Sequence, residues 1–294
     1  MNEVRGTRMN EAEGVILVGK RVTIVGIGRV GGALATKLRS VGVDVRTVRR
    51  AEFDTWSASK EDIGEIVAIA VRDQDVRRIA GDIAQADSSR LAGTVVIHVN
   101  GSMRLDVLQS CADAGARVGA AHPFQTFANS DADVLEGIAW GVECDDDVWE
   151  PLKSFVELSG GVPHRLQIDN DGDKRVYHTA AIAASNYTYA AYELGRRLAE
   201  EAGIPVDTFL LPIMERTYHN AAQAIRSGVP FPLTGPIQRG DVAAVSKQLS
   251  AIPAEDKQVY IHLSLALLHL NKDNMKAETF KEMSVLLSEA IEAS

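Results

Sequence analysis

The stretch RVTIVGIGRVGGAL, residues 21–34, constrains the fold more than any other part of the sequence. An apolar, β-branched run leads into Gly26, Gly28 and Gly31, which stand in G-x-G-x-x-G order before a helix-like pattern. Gly26 permits a tight turn, Gly28 lets a pyrophosphate approach the backbone, and Gly31 lets the helix pack closely on the strand. The free N–H groups of the helix N-terminus also favour an anion. We therefore predict that a dinucleotide binds at this turn, on Gly26, Ile27, Gly28, Arg29, Val30 and Gly31.

Short apolar runs alternate with amphipathic stretches through residues 21–143. The runs that predict strands are RVTIVGIG, VDVRTV, EIVAIAV, TVVIHVN, RVGAAH and IAWGVE, and the helix candidates are 30–41, 73–86, 103–115 and 127–136. Strands that are almost continuously apolar indicate burial on both faces of a sheet. The alternation predicts an α/β fold with a doubly wound parallel sheet of the Rossmann type.

The pattern changes near Asp147. A helix-like run and a short strand candidate, HRLQID, are followed by helical patterns at 173–202, 206–227, 239–250, 256–271 and 274–291. We predict an N-terminal tail over residues 1–19, a nucleotide-binding domain over 20–170 and an all-helical domain over 171–294. The helical domain has apolar residues on more than one face, as in SLALLHL, which favours a homodimer through this domain.

The identity of the dinucleotide depends on the end of the second predicted strand. NAD-binding chains usually have Asp or Glu there to hold the ribose hydroxyls. This chain has Arg49 and Arg50, two guanidinium groups that suit a 2′-phosphate. We therefore expect NADP(H), although Glu52 and Asp54 leave NAD open as the weaker alternative.

The loops after the third and fourth predicted strands supply further candidates. Val71 and Arg72 follow the third strand, and Asn100, Gly101 and Ser102 follow the fourth. Open α/β sheets bind their ligands at the carboxyl ends of the strands. We assign the first four of these residues to cofactor binding and Ser102 to substrate binding.

His122 is predicted to follow the fifth strand at the same edge of the sheet. Pro123 disfavours helical geometry at His122 and fixes the direction of the chain. Imidazole exchanges a proton near neutral pH, and reduction of a carbonyl by hydride requires a group that protonates or stabilises the alkoxide. His122 is thus a catalytic candidate, a structurally packed histidine is the alternative, and Gln125 in the same turn is a substrate-binding candidate.

The long helix KRVYHTAAIAASNYTYAAYELG adds a second group of polar candidates. His178, Ser185 and Asn186 share one helix face, and alanines between them keep the helix slim. We predict His178 and Asn186 as catalytic and Ser185 as substrate-binding, in a cleft between the two domains. In the loop PFPLTGPIQRGD, Arg239 is a candidate for binding a substrate carboxylate, while Asp241 is equally suited to cap the next helix.

Composition excludes several other functions. The 294 residues have a net charge of −9, which argues against broad binding to nucleic acid or an anionic membrane. No apolar run is long enough to cross a bilayer, and the N-terminus does not resemble a secretory signal, so we expect a cytoplasmic protein. Cys111 and Cys144 lack the spacing of metal ligands, and we predict no metal site and no disulfide.

Four stretches together resemble a known family. GIGRVGGAL, HPFQTF, HTAAIAASNY and LTGPIQRGD are similar to Rossmann-like oxidoreductases with a helical C-terminal domain of uncharacterised function, and the resemblance extends from about residue 20 through nearly the whole chain. That group is related to deazaflavin-dependent NADP oxidoreductases and pyrroline-5-carboxylate reductases, and some relatives resemble ketopantoate reductases. Prephenate dehydrogenases share a His-Pro turn. The resemblance implies an NAD(P)-binding domain and a helical dimerisation domain.

The chain also departs from these relatives. Asn100-Gly101 stands where relatives often have Ser-Gly, and Arg72 where they often have Pro. Where hydroxyacid dehydrogenases have a lysine on the long helix, the comparable residue here is His178, with Lys174 nearby. We expect an NADP(H)-dependent oxidoreductase acting on a small carbonyl, imine or hydroxy acid. The alternative is a noncatalytic dinucleotide-binding sensor.

Overall fold

The structure is a computed structural model that describes residues 17, 19–59, 61–86, 88–168 and 170–292. Most of the predicted N-terminal tail lies outside these residues. The chain divides into a first unit that ends at Ile182 and a second unit that begins at Ala183. The predicted domain boundary at 170/171 falls at the start of the helix that crosses this division.

The first unit is built on one seven-stranded sheet with strand order β2-β1-β3-β4-β5-β6-β7. The strands are β1 Arg21–Val25, β2 Asp44–Val48, β3 Ile66–Ile69, β4 Val95–His98, β5 Arg117–Pro123, β6 Ala139–Cys144 and β7 Val162–Arg165. β1 to β5 are parallel neighbours. The predicted α/β fold class is therefore confirmed.

Helices connect the strands of the first unit. They are α1 Arg29–Ser40, α2 Phe53–Ser57, α3 Asp73–Ala86, α4 Gln109–Asp113, α5 Asp146–Leu158 and the first part of α6 Asp171–Glu201. The predicted helix at 103–115 is divided into a 3-10 turn, Leu105–Leu108, and α4.

Alternate residues of the central strands enter two separate hydrophobic cores, one on each face of the sheet. Ile66 and Ala68 belong to the core that contains α1 and α5, while Val67 and Ile69 belong to the core that contains α3. Burial of such a side chain contributes roughly 1.5–3 kcal/mol. The continuous apolar runs in the sequence thus reflect burial on both faces.

The segment between β5 and β6 differs from the prediction. β6 pairs with β5 in the antiparallel direction, and the predicted helix at 127–136 is wrong, since only Asp133–Leu135 forms a 3-10 turn. An antiparallel pair needs no crossover helix. In addition, the Asn129 and Asp131 side chains accept hydrogen bonds from the backbone N–H groups of Asp131 and Asp133, which competes with helix formation.

Helices joined by loops make up the described part of the second unit, with no strand, as predicted. It comprises the remainder of α6, α7 Val206–Ser227, α8 Pro236–Arg239, α9 Val242–Ala251, α10 Ala254–Leu270 and α11 Ala277–Glu292. Its core includes Ile237, Val245, Ile261, Leu268, Met283 and Leu287. Large apolar side chains on α6 and α7 remain exposed within the chain, and they include Tyr187, Tyr189, Phe209, Leu211, Ile213, Tyr218 and Ile225.

Candidate functional site

The glycine turn between β1 and α1 has the geometry that its sequence requires. Gly26 has φ +97°, and a Cβ added there would lie 2.6 Å from the Ala70 carbonyl oxygen. A Cβ added at Gly31 would lie 2.0 Å from the Gly26 oxygen, so α1 approaches the turn more closely than any side chain allows. Gly28 is the N-cap of α1, and a Cβ there would meet nothing within 4 Å. The backbone at Gly28 is therefore open to a ligand.

A cavity of about 350 Å³ lies beside this turn, at the carboxyl ends of β1 and β2. Its lining combines mostly buried apolar residues with exposed or half-buried charged ones, and consists of Val25, Gly26, Val48, Arg49, Arg50, Phe53, Asp54, Val71, Asp75, Arg78 and Ile79. The predicted residues Arg49, Arg50 and Val71 thus share one cavity. Arg78 of α3 adds a third guanidinium that the sequence interpretation missed.

Of the two acidic residues that follow β2, Glu52 is engaged by the backbone and Asp54 lines the cavity. Glu52 Oε2 accepts a hydrogen bond of 3.1 Å from the backbone N–H of Arg49. This contact caps the 3-10 turn Arg50–Glu52 that follows β2. The Glu52 carboxylate therefore supports the backbone beside the cavity and is not among the residues that line it.

Asp73 joins the loops that follow β3 and β4. Asn100 Nδ2 donates to Asp73 Oδ1 over 2.5 Å, and Ser102 Oγ donates to Asp73 Oδ2 over 2.6 Å. Burial opposes ionisation of Asp73, but these hydrogen bonds outweigh it and hold the pKa of Asp73 below its usual value. Arg72 forms an exposed ion pair with Asp75 at 3.5 Å. Asn100 and Ser102, predicted as ligand-binding residues, thus also brace the carboxyl edge of the sheet.

His122 and His178 lie together, in what we call the imidazole cluster: His122, Phe124, Tyr177, His178 and Gly101. The ring centroids of the two histidines are 5.8 Å apart, and His122 Nδ1 is hydrogen-bonded to the Tyr177 hydroxyl at 2.9 Å. Gly101 fits between the rings, since a Cβ there would lie 2.7 Å from both His122 Nε2 and His178 Nδ1. Two residues predicted from distant parts of the sequence therefore meet within the first unit.

The prediction that His122 follows the fifth strand is wrong, because His122 lies within that strand. It is the second-last residue of β5 and pairs with Gly141, while Pro123 pairs with Trp140. The strand is longer than predicted because β6 returns alongside it. His122 still lies near the carboxyl end of β5.

The surroundings of His122 keep its ring neutral. Burial, and then the electrostatic influence of the neighbouring His178 and Lys174, lower the pKa of His122 to about 3. The Tyr177 phenol is also neutral, because burial raises its pKa to about 12. The Tyr177 oxygen lies so near β6 that a Cβ on Gly141 would be 2.4 Å from it.

A buried ion pair lies beside the imidazole cluster. Lys174 is fully buried, and its Nζ is 2.9 Å from Glu143 Oε2 on β6, while Arg104 Nε is 3.9 Å from the other Glu143 oxygen. Lys174 Nζ also lies 5.7 Å from the centre of the Tyr177 ring. The i, i+3, i+4 spacing of Lys174, Tyr177 and His178 on α6 was the signal that could have identified this group.

His98, the last residue of β4, is fully buried in the same region. Its Nδ1 accepts the backbone N–H of Asn100 over 3.2 Å, which leaves the proton on Nε2. Burial and then the charge of Lys174 lower the pKa of His98 to about 4. Nothing in the sequence pattern distinguished this histidine from a core residue.

The remaining predicted substrate residues are not brought into the imidazole cluster by any described contact. Gln125 is exposed, and its Oε1 accepts the N–H of Thr126. Ser185, Asn186 and Arg239 belong to the second unit, where Arg239 is the exposed last residue of α8. In the same loop, the Asp241 side chain caps α9, which was the alternative interpretation of that residue.

Two known family models match successive parts of the chain. Residues 56–123 match the model of a Rossmann-like domain, and residues 138–267 match that of a domain of unknown function, DUF2520. No curated protein matches the sequence.

Solved structures of the same architecture extend over nearly the whole chain. One is a Bacteroides fragilis protein whose assignment as an NADP oxidoreductase is itself provisional, with 18% identity, a TM-score of 0.65, and coverage of 85% of this chain and 98% of that one. A reductive aminase from Aspergillus terreus, solved with NADPH and ethyl levulinate, has 16% identity, a TM-score of 0.55, and 94% coverage of each chain. An imine reductase from Bacillus cereus has 17% identity, a TM-score of 0.54, and coverage of 93% and 99%.

The chain has the Rossmann-like fold with a helical C-terminal region. This is the architecture implied by the resemblance to Rossmann-like oxidoreductases with a helical C-terminal domain. The similarity to ketopantoate reductases stays a prediction. Among the described residues, no helix is long and apolar enough to cross a membrane. The same part of the chain contains no group of three or more His, Cys, Asp or Glu residues that could hold a metal ion, and Cys111 and Cys144 are free thiols.

Proposed function

We propose that the protein is an NADP(H)-dependent oxidoreductase that transfers hydride to or from a small carbonyl, imine or hydroxy acid. The observation that carries the proposal is that the open glycine turn and the imidazole cluster occupy the carboxyl edge of one sheet. Open α/β sheets bind their ligands at this edge. The NADPH complex of the structurally similar reductive aminase supports the same function.

The residues at the glycine turn fit a dinucleotide. The backbone of Gly26 to Gly31 offers the first N–H groups of α1 to a pyrophosphate, with open space at Gly28. The adjacent cavity has apolar lining residues that suit an adenine ring and three guanidinium groups, on Arg49, Arg50 and Arg78, that suit a 2′-phosphate. Glu52 caps the backbone and Asp54 is the remaining acid of that turn at the cavity, so the preference for NADP over NAD rests on the arginines.

A nicotinamide bound at this edge would supply or accept the hydride. The protein's part in the reaction is to hold a hydrogen-bond donor at the substrate oxygen or nitrogen, and His122 is that donor. Since its ring is neutral, His122 stabilises developing negative charge by donating a hydrogen bond rather than as an imidazolium ion. His178 Nδ1 is buried and has no hydrogen-bond partner among the described residues, so it is available to form a hydrogen bond with a substrate.

The roles assigned to Ser185, Asn186 and Arg239 remain proposals from the sequence. Asn186 would orient the substrate and Arg239 would pair with a carboxylate. Substitution of Arg239 by Gln tests the latter, since it should raise KM for an acidic substrate and leave KM for a neutral analogue unchanged.

Cofactor binding tests the proposal directly. Titration of the protein with NADPH and NADH, followed by nicotinamide fluorescence, should show tighter binding of NADPH. Replacing Arg49 and Arg50 with Ala should reduce the ratio of NADPH affinity to NADH affinity at least tenfold, equivalent to about 1.4 kcal/mol. Arg46→Ala is the matched control, because Arg46 is an exposed arginine of β2 outside the cavity. Equal, millimolar binding of both nucleotides by the wild type would contradict the proposal.

Turnover distinguishes an oxidoreductase from a dinucleotide sensor. We expect NADPH oxidation with at least one member of a panel of ketoacids, imines and semialdehydes. His122→Gln should reduce kcat by about 100-fold, the lower range for loss of a positioned proton-transfer group. Tight NADPH binding without turnover on any panel member would instead favour the sensor.

We further propose that the protein forms a homodimer through α6 and α7. Support comes from the large apolar side chains left exposed on these helices, such as Ile213, Tyr218 and Ile225, because clustered exposed apolar residues mark interaction surfaces. Light scattering should show a dimer, and Ile213→Glu with Ile225→Glu should give monomers. Val285→Glu, at an exposed valine of α11, is the control that should remain dimeric.

A further inference from the structure

The imidazole cluster contains one hydrogen bond whose direction decides what His122 can do. His122 Nδ1 and the Tyr177 hydroxyl are 2.9 Å apart. Either the phenol donates to Nδ1, which leaves the imidazole proton on Nε2, or Nδ1–H donates to the phenol, which leaves Nε2 without a proton. The two arrangements give His122 opposite chemistry at the nitrogen that faces away from Tyr177.

The two arrangements of this hydrogen bond differ in how many polar groups they leave unpaired, and this difference decides between them. Both groups are neutral, so the phenol has one proton to place. If Nδ1–H were the donor, the phenol proton would have no described acceptor in a half-buried site, and leaving a buried donor unsatisfied costs about 1–3 kcal/mol. If the phenol is the donor, its proton is satisfied and only the Nε2–H, which lies toward Gly101, is left for a ligand, whereas the other arrangement leaves both the phenol proton and Nε2 unpaired among the described residues.

The packing around His122 fixes the orientation of its ring. Phe124, Tyr177 and His178 contact the ring edge to face, with centroid separations of 6.1, 5.6 and 5.8 Å. Phe124 also packs on Tyr177 at 5.2 Å, and the absence of a side chain on Gly141 lets the phenol approach. The ring of His122 therefore keeps its Nδ1 edge on Tyr177 and its Nε2 edge toward Gly101.

We propose that Tyr177 is a positioning residue, whose hydroxyl donates to His122 Nδ1 and so holds His122 in the tautomer that has its proton on Nε2. This inference rests on the proposed function for its consequence, that Nε2–H donates to the reacting atom of the substrate. Such a donor requires an atom with a lone pair. In the reductive direction the substrate is therefore a carbonyl or a neutral imine, and not an iminium ion.

The test is the tautomer itself, observed by two-bond ¹H–¹⁵N correlation spectra of the protein without any ligand. Loss of one signal set in His122→Gln assigns the His122 ring. In the wild type we expect Nδ1 to give the shift of an acceptor nitrogen and Nε2 that of a protonated one. In Tyr177→Phe, which retains the aromatic ring, the Nδ1 shift should move toward that of a mixture of tautomers. Tyr187→Phe, at an exposed tyrosine of the same helix, should leave the spectrum unchanged.

Kinetics give the second measurement. If a substrate is turned over, Tyr177→Phe should reduce kcat by about tenfold while KM changes little, as expected for one lost hydrogen bond that orients the donor. A proton on Nδ1 in the wild type, or an unchanged His122 tautomer in Tyr177→Phe, would overturn the inference. Because the spectra need no cofactor, they remain decisive even if NADPH fails to bind, which is the separate outcome that would refute the proposed function.

Discussion

At the scale of single residues, the three motif glycines have different physical tasks. Gly26 and Gly31 are required by the fold, because a Cβ at either position would overlap backbone atoms. Gly28 is not required by the fold, since a Cβ there meets open space. Its place in the motif is therefore explained by a ligand that comes close to the backbone.

Substitution of these glycines should separate folding from binding. Gly31→Ala should destabilise the protein by about 1–3 kcal/mol, the typical cost of overpacking, as measured by urea denaturation. Gly28→Ala should unfold at nearly the wild-type urea concentration but bind NADPH roughly tenfold more weakly, about 1.4 kcal/mol. If Gly28→Ala bound NADPH normally, the pyrophosphate would not approach at this position.

The buried pair of Lys174 and Glu143 makes a second prediction for single residues. Lys174→Met leaves the Glu143 carboxylate with only the more distant Arg104, and should destabilise the protein by roughly 3 kcal/mol. Adding Glu143→Gln removes the unpaired charge and should restore most of that loss. Equal urea midpoints for the single and double variants would show that the charge is not the cause.

At the scale of elements, local side-chain hydrogen bonds decide where several helices begin or fail. Asn129 and Asp131 form turns that replace the helix expected at 127–136. Asp241 does the opposite, since its Oδ1 accepts the N–H of Ala244 over 3.0 Å and starts α9. The same residue types thus end or begin a helix according to the backbone around them.

The cap of α9 should be measurable in the stability of the helical unit. Asp241→Ala removes the acceptor for the Ala244 N–H and should cost about 1 kcal/mol in urea denaturation. Glu289→Ala, at an exposed residue of α11, is the control and should change the midpoint little. A cost no larger than that of the control would mean that the cap is replaced by water.

At the scale of the whole molecule, buried neutral histidines couple stability to pH. His98 and His122 have pKa values of about 4 and about 3 in the folded protein, below the 6.5 of an exposed histidine. The unfolded chain therefore binds more protons between pH 6.5 and these values, so stability falls as pH falls through that range. The cause is burial, with repulsion from Lys174 acting on both rings.

We expect the free energy of unfolding to decrease by about 2 kcal/mol for each of these imidazoles between pH 7 and pH 5. Urea denaturation at the two pH values measures it. His98→Asn should be less sensitive to this pH change than the wild type, whatever its stability at pH 7. His219→Asn, at an exposed histidine of α7, should retain the full pH dependence, and the same dependence in both variants would contradict the assignment to His98.

The sequence by itself determined the sheet, the glycine turn and the run of C-terminal helices. They follow from patterns that are local in the chain, such as the continuous apolar runs of β3 and β4 and the spacing of Gly26, Gly28 and Gly31. Only the tertiary structure decided that β6 runs antiparallel to β5, that Arg78 joins Arg49 and Arg50, and that Tyr177 and Lys174 lie beside His122. These pairings bring together residues far apart in the chain, and their energies depend on burial and distance, which exist only once the sheet has formed.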